Sequence, residues 1–86
     1  MNAMLRLTSV TALTGLSKST IYLRTSQGLW PKPVNLGGNK GSAVAWPDYE
    51  VAKMNAARIA GMTDDEVVEL VSKLEDARKQ ALAVAA

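Results

Sequence analysis

The sequence predicts a mainly α fold with a small β-hairpin, a winged helix-turn-helix plus a C-terminal helix. Three observations carry that expectation. The run Leu13-Thr14-Gly15-Leu16-Ser17-Lys18-Ser19-Thr20-Ile21-Tyr22 reads as the end of one helix, a glycine turn and a serine-capped second helix. Beyond it, Val34 to Leu36 and Ala43 to Trp46 are β-compatible segments separated by Gly37, Gly38, Asn39 and Gly41, a composition that predicts a hairpin, or wing. Charge is also divided along the chain. Arg6, Lys18, Arg24, Lys32 and Lys40 stand in 47 residues without one Asp or Glu, while residues 48 to 86 hold five bases and all eight acids. The net charge of +2 thus splits into +5 and −3, and an acid-free basic front is suited to a polyanion.

The first helix is expected over about Ser9 to Thr14, with Thr8 and Ser9 as N-cap residues, Val10 and Leu13 as its inward pair and Gly15 ending it at positive φ. Leu16 then returns to the core. Ser17 caps a second helix from Lys18 to Gln27, which stops at Gly28. Pro31 and Pro33 hold the residues before them extended, so Trp30-Pro31-Lys32-Pro33 forms a stiff elbow into the hairpin. Pro47 suits the first turn of a third helix, Asp48 and Glu50 favour its positive end, and Val51, Met54, Ala57 and Ile59 are its expected buried contacts up to Gly61.

Thr63-Asp64-Asp65-Glu66 is a capping box that announces the last helix. There Val67, Leu70, Leu74, Ala77, Ala81 and Val84 recur at alternating steps of three and four, with Val71 widening the apolar stripe. The implied boundaries are a winged helix-turn-helix domain over 1-61 and a C-terminal helix over 62-86. Two arrangements are open for that helix: it covers its own small core, or it joins a second copy through Val67, Leu70, Val71 and Leu74. Lys73 and Arg78 fall at g and e of the heptad, so self-association would be antiparallel or bundled.

Composition excludes most chemistry. There is no His and no Cys, and the first 47 residues lack any carboxylate that could act as general base or metal ligand, so no enzyme, cofactor or metal site is expected. The capping box and the helix dipole account for Asp64, Asp65 and Glu66 without a cation. No apolar run approaches the ~20 residues that cross a bilayer, and none at the N-terminus has signal-peptide length; the expectation is a cytoplasmic protein with no membrane partner.

Double-stranded DNA is the expected partner, with the second helix as its reading head. Ser17, Lys18, Ser19, Thr20, Tyr22, Arg24 and Gln27 offer hydroxyl, amide and cationic groups suited to base edges and phosphates. Lys32 in the elbow and Asn39 and Lys40 at the hairpin tip complete the candidate set; Lys40 either reaches the backbone or minor groove or is simply solvated. Trp30 and Trp46 could stack on bases, but as the two largest of only four aromatic side chains in so small a domain they are expected in the core.

Taken together these pieces resemble the AlpA family of phage and mobile-element regulators, small helix-turn-helix proteins related to excisionases and winged MerR-type domains. The resemblance runs from Leu5-Arg6-Leu7 through Thr14 to Tyr22, Gly28-Leu29-Trp30-Pro31-Lys32-Pro33-Val34, Leu36-Gly37, Val44-Ala45-Trp46-Pro47 and Glu50-Val51 to Asn55-Ala56-Ala57-Arg58-Ile59-Ala60-Gly61. Two departures stand out. The hairpin is longer than the family's Gly-x-Arg-Ala-Val-Gly-Trp, puts Lys40 in the role of the arginine and has Ala45 for a glycine. Many relatives follow Ile-Tyr with Arg-Leu, where this chain has Leu23-Arg24: either the basic residue shifts around the helix, or its stem packs while the guanidinium reaches outward. The resemblance implies a DNA-binding transcriptional regulator or excisionase-type directionality factor, with an integrase or the transcription machinery as further partner. The rival reading is a protein-interaction adaptor that uses the C-terminal helix and keeps the helix-turn-helix as scaffold.

Overall fold

The computed structural model describes residues 3–37 and 43–85; the expected hairpin-tip residues Gly38, Asn39, Lys40 and Gly41 lie outside them. The chain begins with a strand that the sequence did not announce, β1 (Met4–Arg6), which leads without a loop into α1 (Leu7–Thr14). Three residues are too few for a periodic signal, and this segment becomes a strand because a neighbouring strand offers it an edge. The consequence is that α1 starts two residues earlier than expected. Arg6 is its N-cap, making no side-chain bond, and Thr8 and Ser9 lie inside the helix.

The inward pair of α1 is Val10 and Thr14, and Leu13 is exposed, contrary to expectation. Thr14 is buried because its hydroxyl is satisfied twice, donating to the Val10 carbonyl at 2.7 Å and accepting from the Leu16 amide at 3.2 Å. Gly15 then takes φ of 73°, the expected left-handed turn.

Ser17 opens α2 (Lys18–Ser26), its Oγ accepting from the Thr20 amide at 3.2 Å. The helix ends in a Schellman closure: Leu29 N donates to the Arg24 carbonyl and Gly28 N to that of Thr25, with Gly28 at φ 76°. The elbow follows, then β2 (Val34–Asn35) and β3 (Val44–Pro47). The expected hairpin is present, and β1 makes it a three-stranded antiparallel sheet of order β1-β3-β2. Leu5 faces Trp46 across one ladder, and Val34 faces Ala45 across the other.

Pro47 closes β3, so α3 (Asp48–Ala60) begins one residue later than expected. Val51, Met54 and Ala57 are buried as expected, but Ile59 is 87% exposed. The reason is angular: at 3.6 residues per turn Ile59 projects about 150° from the direction shared by Glu50, Val51, Met54 and Ala57. Gly61 at φ 73° and the bonds Met62 N to Ala57 O and Gly61 N to Arg58 O give α3 the same closure as α2.

The last helix, α4 (Asp64–Ala85), starts from the expected capping box: Glu66 N donates to Thr63 Oγ1 at 3.3 Å, and Thr63 N to Glu66 Oε1 at 2.9 Å. Of the two arrangements open for α4, the structure has the helix on its own domain. Val71 and Leu74 are buried in one cluster with Val10, Ile21, Trp30, Trp46, Val51 and Met54, and Val67 and Leu70 pack against it. The inward row therefore runs Val67, Val71, Leu74, Arg78, and Ala77 is exposed. Val71 and Leu74 each contribute roughly 1.5–3 kcal/mol of burial to a thin core. No helix among the described residues is long and apolar enough to cross a membrane.

Candidate nucleic-acid interface

With Ile21 its only buried residue, α2 turns most of its surface outward. Ser19, Tyr22, Leu23 and Ser26 follow i, i+3, i+4, i+7 spacing and are all exposed, so they form one stripe on the side away from Ile21. Lys18 and Gln27 are exposed at its margins, while Thr20 and Arg24 are half-buried.

The hydroxyls of this segment are not equally available. Ser17 Oγ and Thr20 Oγ1 are hydrogen-bonded to each other at 2.9 Å. Thr25 donates to the Ile21 carbonyl at 2.8 Å, and Ser26 to that of Leu23 at 2.6 Å. Ser17 and Thr20 thus build the start of the helix, and Ser19 and Tyr22 carry the outward hydroxyls not engaged within it. Tyr22 also leans on the core, its ring 6.5 Å from that of Trp46 and tilted by 56°.

At the unusual Leu23-Arg24 pair, Arg24 is half-buried and Leu23 is 58% exposed. The basic residue thus stands at the flank of the outward stripe, with Leu23 within it. Leu23 is not among the sequence candidates because polar and charged groups define that set; Ser26, polar but also outside it, spends its proton on the Leu23 carbonyl.

The elbow is held from two sides. Trp46, buried, donates its indole N–H to the Pro31 carbonyl at 2.8 Å. Both polar groups of the Lys32 backbone are bonded to α4: its N–H donates to Glu75 Oε2 at 2.8 Å, and its carbonyl accepts from Arg78 Nη2 at 2.6 Å. The Lys32 side chain is left exposed. Trp30 is buried too, its indole N–H without a partner among the described residues. Both tryptophans are core, as expected. Asn39 and Lys40 lie outside the described residues.

A second clamp fixes α1 to α3. Asn55 Nδ2 donates to the Leu13 carbonyl at 3.1 Å and Arg58 Nη1 to that of Thr14 at 2.9 Å, satisfying acceptors that the end of α1 leaves open. The Asn55-to-Arg58 spacing is one helical turn, which is what brings both donors to one end of α1.

The ion pairs among the described residues are Arg78 with Glu50 and Lys73 with Glu69. Both use acids of the second half. The side chains of Arg6, Lys18, Arg24 and Lys32 enter none, although the Glu75 carboxylate bonds the Lys32 backbone.

Among the described residues, four helices, a glycine turn between the first two and a three-stranded sheet behind an elbow define a winged helix-turn-helix. The chain belongs to the phage AlpA family: residues 3–59 match the family described as prophage CP4-57 regulatory protein (AlpA). It is also similar to an uncharacterized protein, ORF88, of Enterobacteria phage P4, 47% identical over 57 residues that make up 66% of this chain and 61% of that protein. No solved structure matches the chain. The family match ends inside α3, and α4 lies beyond it.

Proposed function

We propose that the chain is a sequence-specific double-stranded DNA-binding protein of a phage or mobile element, which regulates transcription or directs an integrase as an excisionase-type factor. The observation that carries this is the outward stripe of α2 on a half of the chain whose bases, among the described residues, enter no side-chain ion pair. In this reading α2 enters the major groove and Ser19, Tyr22 and Gln27 meet base edges or backbone. Lys18, Arg24 and Lys32 hold phosphates, with Lys32 placed by its clamped backbone. Asn39 and Lys40 of the hairpin reach the flanking backbone or minor groove. Ser17 and Thr20 act chiefly by shaping the start of α2. Gene regulation and recombination would use the same contacts, and both place the protein in the cytoplasm.

Selection of bound fragments from the source genome with purified full-length protein tests this. Recovery of one motif beside an integrase gene or a promoter is the expected result. Binding to the recovered site should weaken with salt at a log–log slope of about −3 to −5 per protomer, from three to five phosphate contacts. A flat titration would favour the adaptor reading.

A further inference from the structure

We infer that Leu23 reads the 5-methyl group of a thymine in the major groove, an inference that rests on the DNA-binding reading above. A leucine in a helix of a small domain is normally used to build the core. Here α2 buries Ile21 alone and leaves Leu23 58% exposed within its outward stripe, between Ser19 one turn before and Ser26 one turn after.

The polar neighbours sharpen the assignment. Thr25 and Ser26 donate to carbonyls of their own helix, and Ser17 and Thr20 bond to each other. Donation of a hydroxyl proton from this stripe is therefore left to Ser19 and Tyr22, Ser26 keeps only acceptor capacity, and the remaining outward bulk is the isobutyl group of Leu23.

Ligand chemistry decides what that group can meet. Guanine, cytosine and adenine show acceptors or amino donors at their major-groove edges, whereas thymine adds an apolar methyl. Pressing a leucine onto the polar edges would strip them of water without returning a hydrogen bond. Against the thymine methyl the same contact removes apolar surface from water on both sides. The charge around Leu23 favours a nucleic acid over an apolar protein groove: Lys18 and Arg24 are on the same helix, and no acid occurs before Asp48.

The test uses full-length protein and its selected duplex, with each thymine replaced singly by deoxyuridine, which deletes the methyl and nothing else. At one position the wild type should lose affinity by about fourfold, the worth of one buried methyl-sized group. Leu23→Ala, a change at an exposed site, should bind the thymine and uracil duplexes equally, and Leu23→Met should restore part of the difference. Lys18→Ala should weaken both duplexes by one factor. Equal binding of every uracil duplex by the wild type overturns the inference, as does an unchanged thymine-to-uracil ratio in Leu23→Ala; DNA binding itself survives either result. Failure to bind any duplex in a salt-dependent way overturns both readings together.

Discussion

Arg78 grips Glu50 with two hydrogen bonds, Nε to Oε2 at 2.8 Å and Nη2 to Oε1 at 2.7 Å, and Glu50 is completely buried. The same Nη2 donates to the Lys32 carbonyl, so one guanidinium ties α4 to α3 and to the elbow. The bond to the Glu50 carboxylate raises the pKa of Arg78 further, which keeps the cation charged throughout the accessible range. Such a pair adds little over a well-packed apolar substitute, but breaking it leaves a buried charge.

Arg78→Met is therefore expected to destabilise by about 3–5 kcal/mol in urea unfolding, a large part of the stability of a domain this small. The double variant Glu50→Leu with Arg78→Met should recover most of that loss, because no carboxylate is then stranded. A double variant that is as unstable as Arg78→Met alone would show that the staple acts through something other than the Glu50 charge.

Leu74→Ala should cost about 2–5 kcal/mol, and the loss should be the same at low and high protein concentration, because Leu74 packs in the cluster of its own chain. A chain ending at Gly61 lacks Val71, Leu74 and Arg78 and should lose its near-UV dichroism. If the Leu74→Ala loss grew on dilution, or if the shortened chain stayed folded, α4 would belong to an interface between copies instead.

Glu66 accepts the Thr63 amide, and this bond lowers its pKa below the usual glutamate value. A carboxyl lowered on folding stabilises fully above its unfolded pKa, and that contribution is lost as pH falls through the folded one. Protection of the amides at the first turn of α4, taken against the intrinsic exchange rate at each pH, should accordingly fall on acidification below the ordinary glutamate range. In Glu66→Gln that fall should be absent; an identical profile in that variant would rule the capping carboxylate out as its cause.

The two buried tryptophans differ in one respect. Trp46 bonds the Pro31 carbonyl, whereas the Trp30 indole N–H has no partner among the described residues. Both lose volume on change to Phe, but Trp46→Phe also strands an acceptor, a penalty of about 1–3 kcal/mol, while Trp30→Phe removes an unsatisfied donor. Thermal unfolding should therefore rank Trp46→Phe as the more damaging of the two, and the reverse order would contradict the hydrogen-bond assignment.

What the sequence made legible was local. Gly15, Gly28 and Gly61 all take positive φ, and Ser17 and Thr63 both cap, because each signal is complete within four or five residues. The rest depends on partners far along the chain. β1 exists only against β3, and Leu13 yields its inward place to Thr14 because the hydroxyl finds two local partners. The tail shows this most clearly. Its apolar residues suggest a row through Ala77, yet a buried carboxylate 28 residues away makes Arg78 the inward residue. At the site, Ser19, Tyr22 and Gln27 are exposed, while Thr20 is drawn into the cap and Leu23 takes an outward place that a search for polar groups passes over.

Reading and holding should separate within α2. Lys18 is exposed and unpaired, so Lys18→Ala should weaken all duplexes alike and flatten the salt slope by about one unit, the loss of one phosphate contact. Ser19 stands in the outward stripe with its hydroxyl unengaged, and Ser19→Ala should lower discrimination between the selected site and random duplex by roughly 1–3 kcal/mol if it makes one good base contact. Thr20→Ala removes the partner of Ser17 Oγ and should act mainly on helix stability, about 0.5–2 kcal/mol as for the loss of a cap. Parallel measurements of unfolding and of binding to both duplexes check all three. If Thr20→Ala changed specificity without changing stability, Thr20 would be the reading residue and Ser19 the bystander.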